Sequence, residues 1–358
     1  MPHTPSPATA VIGAGIAGLA CARVLHDAGH PVVLFDKGRG PGGRMSSRRL
    51  PVAVVELGAQ FFSVRDATFR RQVAAWQAAG CAAPWPEALW QVDERGWRRH
   101  HDDLERFIGS PRMSAVTRHL AEGLTLIAGT RIERLTGNAG QWWLVDQHGE
   151  RHGSFARVVI SAPTPQAHAL VASHDGALAT ACEAVIQRPC WAAWALFDEP
   201  LPALPGVDDN WQAVRLAPGH GSSPLRFVSR NDRKPGRAAQ GESLSLLARI
   251  DWSQARLEES PETVAEALLD AFQRALPGDL ALPRPRSLGA HRWRYAQPDV
   301  FATGEAVNQD YRRSASGLAL CGDGWRGPRV EDAWLSGHHL GETLAAAIGE
   351  QAGETPAG

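Results

Sequence analysis

The chain has 358 residues, long enough for about two domains at ~150 residues each. Hydrophobic residues make up 44% and charged residues 21%, a globular balance that excludes a disordered or low-complexity chain. Lys and Arg number 37 against 38 Asp and Glu, a formal charge of -1, which excludes the basic excess that non-specific nucleic-acid binding needs.

All but two of the basic residues are arginine; the lysines are Lys37 and Lys234. Cys21, Cys81, Cys182, Cys190 and Cys321 are odd in number, scattered and free of any C-x-x-C, so a disulfide framework, a zinc site and a dithiol redox centre are not expected. The amino terminus lacks the positive region of a signal peptide. The uncharged run Ala8 to Ala22 is short of the ~20 apolar residues a bilayer requires. The expectation is a soluble, cytoplasmic protein.

Ala10-Val11-Ile12 reads as a buried strand, and Gly13-x-Gly15-x-x-Gly18 follows it directly. Leu19 to Ala28 reads as a helix stopped by Gly29, and Val32 to Phe35 as a second strand ending at Asp36. This strand–turn–helix–strand context turns a weak glycine pattern into a dinucleotide-binding unit. Gly13 allows the tight turn, Gly15 admits a pyrophosphate close to the backbone, and Gly18 lets helix and strand pack closely. The helix N-terminus offers N–H groups to phosphate, and Asp36 can accept from both ribose hydroxyls of an adenosine.

Further strands are predicted at Thr125–Ile127, Arg131–Leu135, Trp142–Asp146 and Arg157–Ser161, with a hairpin at Gly137–Gly140. Beyond Pro163 the pattern changes, with strands at Trp191–Phe197, Leu225–Ser229 and Leu244–Ile250 and a helix at Glu262–Leu276. Proline- and glycine-rich loops occupy Pro200–Gly206 and Pro218–Pro224. Leu318 to Cys321 is a short apolar strand before Gly322-Asp323, and a long helix runs from about Glu331 to Ile348. The tail Gln351–Gly358 is expected to fray.

The second glycine-rich loop, Lys37-Gly38-Arg39-Gly40-Pro41-Gly42-Gly43-Arg44-Met45, resembles the FAD-binding fold of the amine oxidase and p-hydroxybenzoate hydroxylase group. Glu56–Phe62, Val158–Pro163 and Leu320–Asp323 extend that resemblance. Within the group the chain is similar to bacterial renalases. Asp36–Ser47, Gly58–Phe62, Ala290–Ala296 and Arg329–Gly337 carry the likeness nearly end to end. It departs at Arg112, where relatives tend to have Gly.

The resemblance implies an FAD oxidase that accepts hydride from misplaced dihydro isomers of NAD(P)H and passes the electrons to molecular oxygen, giving hydrogen peroxide. The implied cofactor contacts are Gly13, Gly15, Ile16, Ala17 and Gly18 at the first turn, and Asp36 and Lys37 at the ribose. Gly43, Arg44 and Met45 follow, then Gly58, Ala59, Gln60 and Phe61. Ile132, Ala162, Gly322, Asp323, Arg329, Val330 and Ala333 complete the set. No attachment sequence for covalent flavin is visible, so non-covalent FAD is expected. The implied fold is α/β, a Rossmann-like FAD-binding domain (1–62, 107–165 and 287–358). Its insert is a substrate domain with a mixed or antiparallel sheet (63–106 and 166–286).

A single glycine fingerprint and no redox cysteine pair exclude a disulfide reductase. Classical amine oxidases place a lysine near the flavin; Gln187–Trp194 holds none, and Lys234 falls in a polar stretch after Asn231-Asp232-Arg233. Lysine-assisted amine oxidation is therefore disfavoured, although an oxidase or hydroxylase of another small amine or aromatic substrate stays open. A dihydropyridine needs chiefly to be positioned. The positioning candidates are Gln60, His291, Trp293 and Tyr295. In an extended strand the last three share a face while Arg292 and Arg294 point away. That strip re-enters the FAD domain and is expected at a ligand-binding junction. Arg95–His101 reads as a solvated loop, and His338 with Glu342 lacks the further ligands that a metal would require.

Overall fold

The computed structural model describes residues 8–217, 224–237, 241–300 and 310–353. The chain forms two compact units. One holds Met1–Gly43, Thr117–Gln187 and Gln297–Gly358; the other holds Arg44–Val116 and Arg188–Ala296.

The first unit is built on a six-stranded sheet in the order Thr125–Ala128, Val32–Asp36, Thr9–Ile12, Arg157–Ile160, Leu318–Leu320, Arg312–Arg313. The first five strands are parallel. Such strands are buried on both faces, which is why they read as unbroken apolar runs. Ala10, Ile12, Phe35, Val158, Ile160 and Leu318 pack on one side with Leu170, Leu178 and the three-stranded sheet around Trp142 and Leu144. The helix Ile16–Asp27 packs against the last helix, Val330–Gly353. Two glycines permit that approach: a Cβ on Gly337 would run into the Ala17 carbonyl, and one on Gly341 would stand 3.0 Å from the Cys21 oxygen.

The second unit is organised by a seven-stranded mixed sheet in the order Ser287–Val300, Ile186–Phe197, Glu242–Ala248, Leu225–Arg230, Ala213–Leu216, Leu89–Asp93, Gly96–His100. From Ile186–Phe197 to Gly96–His100 the pairing is antiparallel except between Leu89–Asp93 and Ala213–Leu216. One face buries Trp191, Ala193, Ala195, Val214, Val228 and Leu246 against Val264, Leu268 and Phe272 of the helix Pro261–Ala275. Ser260 caps that helix through the Thr263 N–H.

These units divide the chain differently from the expected domains. Residues 44–62 and 107–116 fall in the second unit, because Glu56 takes hydrogen bonds from Met113 and Arg237. Residues 166–187 fall in the first, where Leu170 and Leu178 join the core, and 287–296 form an edge of the seven-stranded sheet. Arg95–His101 is largely strand, paired with Leu89–Asp93, rather than loop. The last helix continues to Gly353, so the predicted fraying does not begin at Gln351; residues 354–358, like 218–223 of the predicted loop, lie outside the described residues. Among the described residues no helix is long and apolar enough to cross a membrane.

Candidate active site

In the first unit, strand register aligns the ends of four parallel strands. Ile12 pairs with Phe35 and Ile160, and Ile160 with Leu320. The next residue along each strand, Gly13, Asp36, Ser161 and Cys321, therefore lies at the same carboxyl edge. The strand order reverses at Thr9–Ile12, and open α/β sheets bind ligands at such a switch point.

The geometry of the glycines fits a dinucleotide. A Cβ on Gly18 would run into the Gly13 carbonyl and stand 2.5 Å from Ser161 Oγ, so Gly18 is a packing glycine. Gly15 differs: a Cβ there meets nothing within 4 Å, and its backbone precedes the helix Ile16–Asp27 in an extended conformation. That open space beside free helix N–H groups is where a pyrophosphate requires it. A Cβ on Gly43 would stand 3.4 Å from Gly15 Cα, and Gly42 N–H donates to the Ala14 carbonyl. Asp36 accepts from Ala14 N–H and Gly38 N–H, both at 2.6 Å. One acceptor position is left on each oxygen for ribose hydroxyls. Lys37 donates to Gln166 Oε1 at 3.4 Å. Gly322 is unobstructed at φ 134°, and its N–H donates to Ser336 Oγ. Asp323, the next residue, and Ala333 are buried, and Arg329 pairs with Asp332. Ile132 is a core residue, and Ala162 packs against the same core.

The other predicted residues lie in the second unit. Arg44 donates to the Ala296 carbonyl at 3.0 Å, and Met45 is buried. Gly58 presses on the Arg44 backbone, and Ala59 N–H donates to the Arg44 carbonyl. His291 and Trp293 meet edge to face at 4.5 Å, and Trp293 Nε1 donates to the Leu57 carbonyl at 2.7 Å. Arg292 and Arg294 instead reach Glu258. Tyr295 follows His291 and Trp293 in the alternation. Burial and the neighbouring Arg48 charge hold the His291 pKa below the usual imidazole value.

Gln60 departs from its expected role. Its Nε2 donates to the carbonyls of Glu56 and Gly58, and its Oε1 accepts from Ser229 Oγ at 2.8 Å and Lys234 Nζ at 3.3 Å. Two donors and two lone pairs are all engaged, so the side chain braces its own turn and has no capacity left for a substrate. Lys234 lies in the expected polar loop, yet it is buried, and its three donors go to Glu56 Oε2, Gln60 Oε1 and Asn231 Oδ1. Burial lowers its pKa from 10.5 to about 8, with Glu56 opposing. Glu56 also accepts from Arg237, Ser47 Oγ and the Met113 N–H, and its pKa falls to about 2 against the effect of burial. Lys234 lies 178 positions from Glu56, so no local pattern signals this network.

The sequence matches the family described as flavin containing amine oxidoreductase over residues 88–340, and an NAD(P)-binding Rossmann-like domain over residues 11–74. The first match spans more than half of the chain, and the chain belongs to the flavin containing amine oxidoreductase family. Its fold is similar to that of cyclohexylamine oxidase from Brevibacterium oxydans IH-35A, with TM-score 0.70, 13% identity and coverage of 98% of this chain and 100% of that one. Reduced UDP-galactopyranose mutase superposes with TM-score 0.74 at 12% identity over 95% and 96% of the two chains. A putrescine oxidase triple mutant does so with TM-score 0.70 at 11% identity over 95% and 99%. The protein is an FAD-dependent oxidoreductase with an α/β, Rossmann-like fold.

Proposed function

We propose that this oxidoreductase takes hydride from dihydro isomers of NAD(P) and passes the electrons to oxygen, giving hydrogen peroxide. FAD, when bound, supplies the two-electron acceptor that oxygen regenerates. Gly15 and Asp36 hold its pyrophosphate and adenosine ribose, and Gly322 and Asp323 its ribityl chain. His291, Trp293 and Tyr295 position the donor.

The observation that carries this reading is the composition of the sheet face opposite the helix Pro261–Ala275. It presents Trp194 and Phe227 with Arg215, and Arg48 lies 4.3 Å from the Trp194 ring. Arg106 is 5.6 Å from Phe61 and is paired with Asp102. Rings interleaved with guanidinium groups suit a flat donor carrying phosphates, whereas a cationic amine meets like charge. Lys234 has every donor engaged, and hydride transfer from a dihydropyridine requires no base.

The test is anaerobic mixing of the yellow enzyme with a panel of dihydronicotinamide isomers and small amines while flavin absorbance is followed. Rapid bleaching by an isomer is expected. Bleaching by amines alone, or by none of the panel, refutes the reading.

A further inference from the structure

We propose that Arg215 is the anion-reading residue of the substrate face, receiving an oxyanion, phosphate or carboxylate, borne by the molecule that reduces the flavin. Its neighbours Val214 and Leu216 belong to the core, so alternation turns Arg215 to the opposite face, in register with Phe227 and Gln91. Phe61 packs edge-on against Phe227 at 5.7 Å. Apolar ring surface therefore adjoins the guanidinium.

Arg215 is half-buried, and among the described residues its guanidinium makes no hydrogen bond or ion pair. Comparable arginines in this unit are committed: Arg230 to Glu242, Arg237 to Glu56, Arg292 to Glu258. Among the described residues, the carboxylate that acts on Arg215 electrostatically is Asp102. Asp102 is saturated, accepting from both terminal nitrogens of Arg106, from His100 Nε2 at 3.0 Å and from the Leu104 N–H at 3.2 Å. Gln91 is held between Asp93 and His100. Arg106, Arg215 and Asp102 thus leave one positive charge over. Burial and the Arg106 charge both disfavour the Arg215 cation, and Asp102 offsets them only in part. A half-buried guanidinium without a carboxylate of its own leaves its donors open to an anion, and its planar fork matches a phosphate or carboxylate through two parallel hydrogen bonds.

The inference rests on the proposed function for the identity of the donor, but the anion site stands on the Arg215 geometry. Its test uses the holoenzyme and three anaerobic donors sharing one dihydropyridine ring: a mononucleotide with phosphate, a nicotinic acid riboside with carboxylate, and a nicotinamide riboside with neither. Arg215→Met should raise the half-saturating concentration of the donor bearing the recognised anion by ~10- to 100-fold, the range for a charged hydrogen bond. The limiting rate and the uncharged riboside should be unaffected, and Arg215→Lys should fall between. Which donor moves separates phosphate from carboxylate.

Should no dihydropyridine reduce the flavin, the donor reading fails alone. Titration with inorganic pyrophosphate and with benzoate, followed by flavin absorbance, then decides the anion site. Binding lost in Arg215→Met supports it, and no difference between wild type and variant overturns it. Equal impairment of all three donors in both variants, with an unchanged thermal midpoint, also overturns it.

Discussion

Two glycines of one fingerprint should fail in opposite ways when each is changed to alanine. At Gly15 the added methyl meets nothing within 4 Å, and φ -78°, ψ 178° is extended backbone open to any residue. Folding should tolerate Gly15→Ala, and the loss of unfolded-state freedom should even stabilise it by about 0.4–1 kcal/mol. Flavin binding should suffer, because the methyl fills the space through which a pyrophosphate approaches the helix N-terminus. Each charged hydrogen bond lost there is worth about 1.5–3 kcal/mol, or ~10- to 100-fold in affinity. At Gly18 the methyl would strike the Gly13 carbonyl and lie 3.2 Å from Val11 Cγ1. Gly13 cannot retreat easily, since its N–H donates to the Phe35 carbonyl at 2.8 Å. Overpacking of this kind costs about 1–3 kcal/mol, so Gly18→Ala should lower the stability of the apoprotein itself. Urea unfolding of flavin-free protein and quenching of FAD fluorescence on titration measure the two effects separately. Equal destabilisation by both changes, or wild-type FAD affinity in Gly15→Ala, would show that the open space is not a pyrophosphate site.

The Lys234 network should give a signature on the alkaline side. Its pKa is about 8 in the native chain against 10.5 ordinarily, through burial, so between those values the unfolded chain binds more protons and native stability rises with pH. Relative to Lys234→Met, the wild type should gain about 2 kcal/mol from pH 8 to pH 10 in urea unfolding; a constant difference would refute burial as the cause. Glu56 works at the other limb. Its native pKa of about 2 lies below the ordinary 4.5, so its contribution is complete above 4.5 and is lost as pH falls towards 2. Glu56→Gln should flatten that acid limb, and an unchanged limb would assign acid unfolding to other carboxylates. Trp293→Ala removes the ring that meets His291 and the hydrogen bond to Leu57; it should slow flavin reduction while flavin content stays at the wild-type level. Loss of flavin without slower reduction would place Trp293 at the cofactor instead.

The nucleotide unit was legible in the sequence because its signals are local. Turn, helix start and strand end fall between Ala10 and Asp36, and the chemistry of Gly13, Gly15, Gly18 and Asp36 follows from backbone needs that neighbouring residues state. Strand alternation likewise separates His291 and Trp293 from Arg292 and Arg294, since period two is a property of extended chain. What depended on the tertiary structure was the pairing of charges. Lys234 and Gln60 read as a lysine in a polar stretch and a site residue, and became parts of one buried network only because Glu56 and Gln60 meet Lys234 across 178 and 174 positions. The same holds for Arg215. Whether an arginine has a partner depends on which carboxylates the fold brings near it, and Asp102, the one brought within reach, is already held by Arg106. Local geometry is encoded locally, whereas the electrostatic state of a buried side chain is set by residues that approach it only after the chain has folded.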